Sequence, residues 1–209
     1  MKKLTWIFFI EWSFIPSYDW YSMWMSNLVK ILSKSKYFNI IVIHCYRGWS
    51  DIKKISEENF TTYFLSPDDY YNNIDLISNI CKIHNPDFIQ MQDAELIMKI
   101  WYKISNLIKT KLIYNIHFIS ADFSNDYNES SKKYNLRLKL EKHALNIADW
   151  ILVLTPEDKN KILSFWINAN KISVVPVVIY EKERKNLFKS KRGKNLLFLW
   201  NLFFKPNED

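Results

Sequence analysis

Residues 60–91 read FTTYFLSPDDYYNNIDLISNICKIHNPDFIQM, and this stretch decides the architecture. Its first six residues are apolar or β-favouring and carry no helical period, so they read as a buried strand. Ser66-Pro67-Asp68-Asp69 follows: a hydroxyl for the N-cap, a proline suited to the first helical position, and a carboxylate three residues after the cap. The helix opened there places Ile74, Ile77, Ile80 and Cys81 on its buried side and must stop before Pro86. A second apolar run, 87–91, comes at once. Strand, covering helix and strand in this order form a parallel crossover unit.

The same alternation extends in both directions. Leu4–Ile10, 39–44, 111–117, 150–154 and 172–175 read as further strands, most of them continuously apolar, as strands covered on both faces are. Helices are predicted over 21–33, 94–108 and 131–148. Thr155-Pro156-Glu157-Asp158 repeats the capping device and opens a helix with Ile162, Leu163 and Trp166 on one side. The fold class is therefore α/β, a Rossmann-like doubly wound parallel sheet. After residue 176 the periodicity fails. The reading is one domain over 1–176, a basic linker over 177–193, and the start of a truncated second domain over 194–209, opening with a strand at Lys194 to Trp200.

Charge and composition exclude several classes. The net charge is +7, but residues 181–194 hold seven basic and two acidic side chains, leaving +2 for the rest. The basicity is one short cluster, read as a solvated linker or as a strip that contacts phosphate or membrane; it has no aromatic stacking platform beside it, so a nucleic-acid partner is not expected. Two cysteines, Cys45 and Cys81, provide no disulfide framework. Lys2, Lys3 and the apolar run after them imitate a signal peptide, but Glu11 interrupts the run and no small-residue cleavage site follows. No stretch approaches the roughly 20 apolar residues of a membrane-spanning helix. A cytoplasmic location is expected. The aromatic-rich stretch over residues 12–25, from Trp12 to Met25, has two readings: a peripheral contact at the inner face of a membrane, or a helix packed on the sheet.

In an open parallel sheet, ligands bind beyond the carboxyl ends of the strands. That rule selects Glu11, Ser17 and Asp19 after the first strand, Arg47 after the second, and Gln92 and Asp93 after the run at 87–91. His117 and Asp122 follow the next strand, and Thr155 the one after. His117 is the acid/base candidate, against a structural histidine closing an apolar strand. Glu141 shares a helical face with Tyr134, Leu138, Leu145 and Ala148. A carboxylate there needs a partner or a cleft, so a structural salt bridge and a site residue both stay open. Cys81, His84, His44 and Cys45 do not form a zinc set, because neighbours on a strand point to opposite faces. There is no G-x-G-x-x-G after the first strand, no P-loop and no nucleophile elbow.

Five segments in order resemble the family-4-like glycosyltransferases. His84-Asn85-Pro86-Asp87-Phe88-Ile89-Gln90-Met91-Gln92-Asp93 is similar to their "PD" strand, and Lys111-Leu112-Ile113-Tyr114-Asn115-Ile116-His117 to a strand ending in histidine. The run from Leu140-Glu141 through Ala148-Asp149-Trp150 to Thr155 resembles their "E…AD…S" signature. Asn170-Lys171-Ile172-Ser173-Val174-Val175-Pro176 resembles a "KIxVxP" element. Residues 196–209 resemble the strand and loop that open the donor-binding domain. The resemblance implies a GT-B architecture with this chain as the acceptor-side domain. It further implies a nucleotide-sugar donor as co-substrate, a glycan, lipid-linked or small-molecule acceptor, retention of configuration, no obligate metal and no cofactor. It assigns His117 to the transferred sugar, Glu141 to the acceptor side and Lys205 to the donor diphosphate. The sequence departs from the family at the loop after the first strand, which lacks the usual Gly-Gly, at Val177 and at Trp200. The donor-domain carboxylate pair is absent. The fragment alone is expected to be inactive, and a non-catalytic sugar- or partner-binding remnant is the alternative.

Overall fold

In the computed structural model, residues 2–11, 20–48, 52–56, 60–117 and 131–177 are described. Eight strands form one sheet: β1 (Leu4–Ile10), β2 (Phe38–Cys45), β3 (Lys53–Ser56), β4 (Phe60–Leu65), β5 (Phe88–Met91), β6 (Lys111–Ile116), β7 (Trp150–Val153) and β8 (Ile172–Val174). Their order is β3-β4-β2-β1-β5-β6-β7-β8. All pairings are parallel except β3 with β4. From β1 the chain first builds outward through β2 and β4, then returns to place β5 on the other side of β1. The switch point lies between β1 and β5, where such sheets bind ligands.

The strands expected within the described residues are present, with ends shifted by a residue at most; the strand read at Lys194 to Trp200, the second domain it opens and all but the first residue of the linker lie outside the described residues. The added strand is β3, whose sequence KKIS is three-quarters exposed and has no apolar signal. It pairs antiparallel at the sheet edge, where lysines discourage further strand addition.

The helices are α1 (Trp20–Ser33), α2 (Pro67–Asn72), α3 (Ile74–His84), α4 (Ala94–Leu96), α5 (Tyr102–Ile104), α6 (Ser131–Ile147) and α7 (Pro156–Leu163). Two expected single helices are divided. Asn73 leaves helical geometry and its side-chain oxygen accepts from Leu76 N at 3.1 Å, so it ends α2 and caps α3. The helix predicted over 94–108 contains a π-helical turn, Ile97–Trp101, between α4 and α5, and stops at Ile104. Asn85, at φ 43°, ends α3 in the left-handed region just before Pro86.

Two aspartates of the resemblance motifs have structural roles. Asp87, one residue before β5, accepts from Thr5 N of β1 at 2.8 Å. Asp149, one residue before β7, accepts from Leu112 N of β6 at 2.9 Å and pairs with Lys111 Nζ at 2.8 Å. Each satisfies an amide at the start of the neighbouring strand, where the ladder has not yet begun.

The faces of the sheet are covered unequally. One packs Ile7, Phe9, Ile41, Ile43, Ile89, Met91, Leu112 and Tyr114 under the helices after β4. The other packs Phe8, Ile10, Ile40 and Val42 against Trp24, Met25 and Val29 of α1. Trp24 and Met25 are 1% and 0% exposed, so these two side chains of the aromatic-rich stretch face the sheet and are not available to lipid. Residues 12–19 lie outside the described residues. No described helix is long and apolar enough to cross a membrane.

Candidate functional site

Glu11 is the first residue past β1, and Asp93 lies two residues past β5. They flank the switch point and line a cavity of about 370 Å³. Asp93 is held in place as the N-cap of α4, its Oδ1 accepting from Leu96 N at 3.0 Å. Tyr71 enters the cavity from α2, Lys99 from the π turn, and Arg137 with Leu140 from α6. Turns of the π type are recurrent at functional sites because the extra residue re-aims side chains. Here the turn carries Lys99, which lies 3.8 Å from Glu95 and 5.7 Å from the Tyr71 ring centroid.

Burial is the main reason the Glu11 carboxyl is pushed up to about 7, with the Asp93 carboxylate adding to it. A hydrogen bond from Tyr71 and the charge of Lys99 oppose the shift. Burial, then Glu11, raises the Tyr71 hydroxyl. Burial with Glu11 also pushes the Cys45 thiol up to about 11, so this cysteine stays a thiol. The other cysteine, Cys81, rises to about 12 by burial alone.

The Glu11 shift has a sign that can be measured. Its folded value stands above the usual 4.5, so its favourable contribution is complete below pH 4.5 and lost as pH rises through 7. Glu11→Gln is expected to leave stability unchanged near pH 4 and to raise it by about 3 kcal/mol at pH 8. Urea unfolding at both pH values checks this; equal stabilities at pH 8 would show that Glu11 is not buried as described.

Glu141 follows the lining residue Leu140 on α6 but does not itself line the cavity. It is 1% exposed and accepts a hydrogen bond from the Tyr114 hydroxyl of β6. Burial, then the charge of Glu141, pushes that hydroxyl far up. Its sequence neighbours Arg137 and Leu140 reach the cavity, while Glu141 ties α6 to the sheet.

His117 follows the last residue of β6 and lies on the other face. Its ring centre is 4.3 Å from that of Trp24, nearly edge-on at 83°. Burial pulls the imidazole down to about 3, so it is neutral at physiological pH and offers hydrogen bonds, not a positive charge. Gln92 is on that face too: its Nε2 lies 3.8 Å from Met25 Sδ, and Asn115 Nδ2 lies 3.9 Å from the same sulfur.

The rim selected from sequence is thus divided by the sheet. Glu11 and Asp93 converge in the cavity, whereas His117 and Gln92 lie on the face under α1, against Trp24 and Met25 respectively. Arg47 is exposed in the turn after β2 and acts electrostatically on Cys45 and Tyr71. Thr155 is exposed and caps α7, accepting from Asp158 N at 3.1 Å and donating to Asp158 Oδ2 at 2.7 Å. Ser17, Asp19, Asp122 and Lys205 lie outside the described residues. Sequence reasoning missed Tyr71, Lys99 and Arg137. Only Arg137 left a signal, four residues before Glu141 on the same helix. No group of three or more metal-ligating side chains occurs among the described residues.

Sucrose-phosphate synthase from Thermosynechococcus elongatus superposes with a TM-score of 0.61 at 12% identity, over 82% of this chain and 48% of that one. The fold is that of one GT-B lobe. A lipopolysaccharide outer core galactosyltransferase matches with a TM-score of 0.52 at 18% identity, over 82% of this chain and 45% of its own. A UDP-N-acetylglucosamine 2-epimerase matches with a TM-score of 0.50 at 16% identity, over 83% and 48%. This lobe therefore spans slightly less than half the length of each. No protein-family model and no curated protein matches the sequence.

Proposed function

We propose that this lobe is the acceptor side of a glycosyltransferase that moves a sugar from a nucleotide-sugar donor to a glycan, lipid-linked or small-molecule acceptor. The carrying observation is the cavity at the β1/β5 switch point, where Glu11, Tyr71, Asp93, Lys99 and Arg137 converge. Carbohydrate hydroxyls need donors and acceptors close together, and this cavity offers both with a tyrosine ring beside them. The likeness of the fold to a galactosyltransferase supports the reading. A second lobe carrying the donor pocket is part of the proposal. Transfer with retention and without metal follows the resemblance of the sequence. Neutral His117, at the rim under α1, would donate a hydrogen bond to the transferred sugar.

Incubating the whole protein with a panel of nucleotide sugars and acceptors tests this. Asp93→Asn, which preserves the cap, and Arg137→Ala are expected to lower kcat/KM for the acceptor by about ten- to a hundredfold, mainly through KM. Hydrolysis of the donor in the absence of acceptor should be little changed. Unaltered transfer by both variants would remove the cavity from the reaction. The likeness to a UDP-N-acetylglucosamine 2-epimerase favours a second reading, an epimerase acting on a nucleotide sugar. It predicts an epimerised nucleotide sugar with no acceptor present. Neither product would leave the non-catalytic binding module.

A further inference from the structure

The charges of the side chains that line the cavity balance only when Glu11 carries its proton. Asp93 and Glu95 then stand against Lys99 and Arg137, and the formal sum is zero. Ionising Glu11 places a second carboxylate within the field of Asp93. The charges acting on Glu11 are those of Asp93, Lys99 and Glu95, and the groups around it come from several elements. Tyr71 of α2 hydrogen-bonds to it. Cys45 at the end of β2 is a thiol, and Arg47 lies beyond it. Asp93 and Glu95 come from α4 and its cap, Lys99 from the π turn and Arg137 from α6. A ligand that fills the cavity removes water from the remaining open side of Glu11. Removal of water strengthens the preference for the uncharged acid.

We propose that this cavity holds an uncharged, polyhydroxylated group, a sugar or polyol portion of the acceptor, and that Glu11 binds it as a carboxylic acid, so that capture takes up a proton. The acid O–H donates to a ligand oxygen, while ligand hydroxyls donate to Asp93 and Glu95 and accept from Lys99 and Arg137. A cationic ligand would favour ionised Glu11 and release a proton. An anionic one would meet three carboxyl groups. The inference rests on the acceptor-side reading of this lobe and adds the ligand class and the proton linkage.

Calorimetry on the whole protein at pH 6 and pH 8, in buffers of different ionisation enthalpy, tests it. The probes are the methyl glycosides of glucose, galactose, mannose and N-acetylglucosamine, with 2-aminoethyl glucoside and glucuronate as charged counterparts. A neutral glycoside is expected to bind about tenfold more weakly at pH 8 than at pH 6, with proton uptake, because the competent acid form falls by that factor across a titration near 7. Glu11→Gln, uncharged at both pH values, should keep the pH 6 affinity at pH 8. A pH-independent affinity in the parent protein, tighter binding at pH 8, or preference for a charged glycoside overturns the inference. So does loss of binding at pH 6 in Glu11→Gln. Neutral binding without the pH leg refutes the role of Glu11 and leaves the acceptor-side reading standing. Absence of binding by every glycoside overturns the inference, and if transfer is absent as well it removes that reading too.

Discussion

Lowering the pH from 7 to 3 is expected to remove on the order of 4–5 kcal/mol of folding stability through His117 alone. The imidazole stands at about 3 in the fold, against a usual 6.5, because burial beside Trp24 disfavours its charged form. A histidine depressed in this way contributes stability that is complete above pH 6.5 and is lost as pH falls toward 3. The loss accumulates at about 1.4 kcal/mol per pH unit in that window. His117→Phe keeps an aromatic ring against Trp24 and removes the titration. Urea unfolding of both proteins at pH 7, 5.5 and 4 isolates the effect from the carboxylates, which are common to both. The stability of the parent relative to His117→Phe should fall by about 1.4 kcal/mol per pH unit as pH drops below 6.5. Curves that run parallel would place the imidazole in water. At neutral pH the imidazole is therefore uncharged.

Trp24→Ala is expected to cost about 3–5 kcal/mol. Trp24 is 1% exposed and among the largest fully buried side chains. It belongs to the smaller core, in which α1 meets Phe8, Ile10, Ile40 and Val42. With few other side chains able to collapse into the space, the cavity term adds to the transfer term. The substitution also uncovers the His117 ring, so the acid leg described above should shrink in the variant. The two changes are therefore expected to be non-additive. A loss below about 1 kcal/mol, typical of surface positions, would mean that α1 packs elsewhere and would return Trp24 to the membrane-facing reading.

Much of this architecture is legible in residue order because its signals are local. Continuous apolar runs mark β1, β2, β5 and β6, since strands covered on both faces need no polar side. Ser66-Pro67 and Thr155-Pro156 mark helix starts because a cap is chemistry between residues three apart. The divisions at Asn73 and at Ile97–Trp101 were not legible. Asn73 competes locally for the Leu76 amide, and the π turn arises among residues whose helical propensities are ordinary. β3 escaped because an exposed edge strand carries no apolar pattern to read.

The site was half legible for a related reason. The order of strand and helix places Glu11, Asp93 and His117 at one end of a parallel sheet, and the switch-point rule then selects them. Which face each side chain takes depends on its strand phase and on the helices packed there. Folding sends Glu11 and Asp93 toward α2 and α6, but His117 and Gln92 toward α1. The raised carboxyl of Glu11 arises first because packing buries it, and then because Asp93, 82 positions later in the chain, comes to lie near it. Periodicity and capping act over a few residues and survive in a linear string. Desolvation and charge coupling belong to groups far apart in that string, and they arise when packing excludes the water between them.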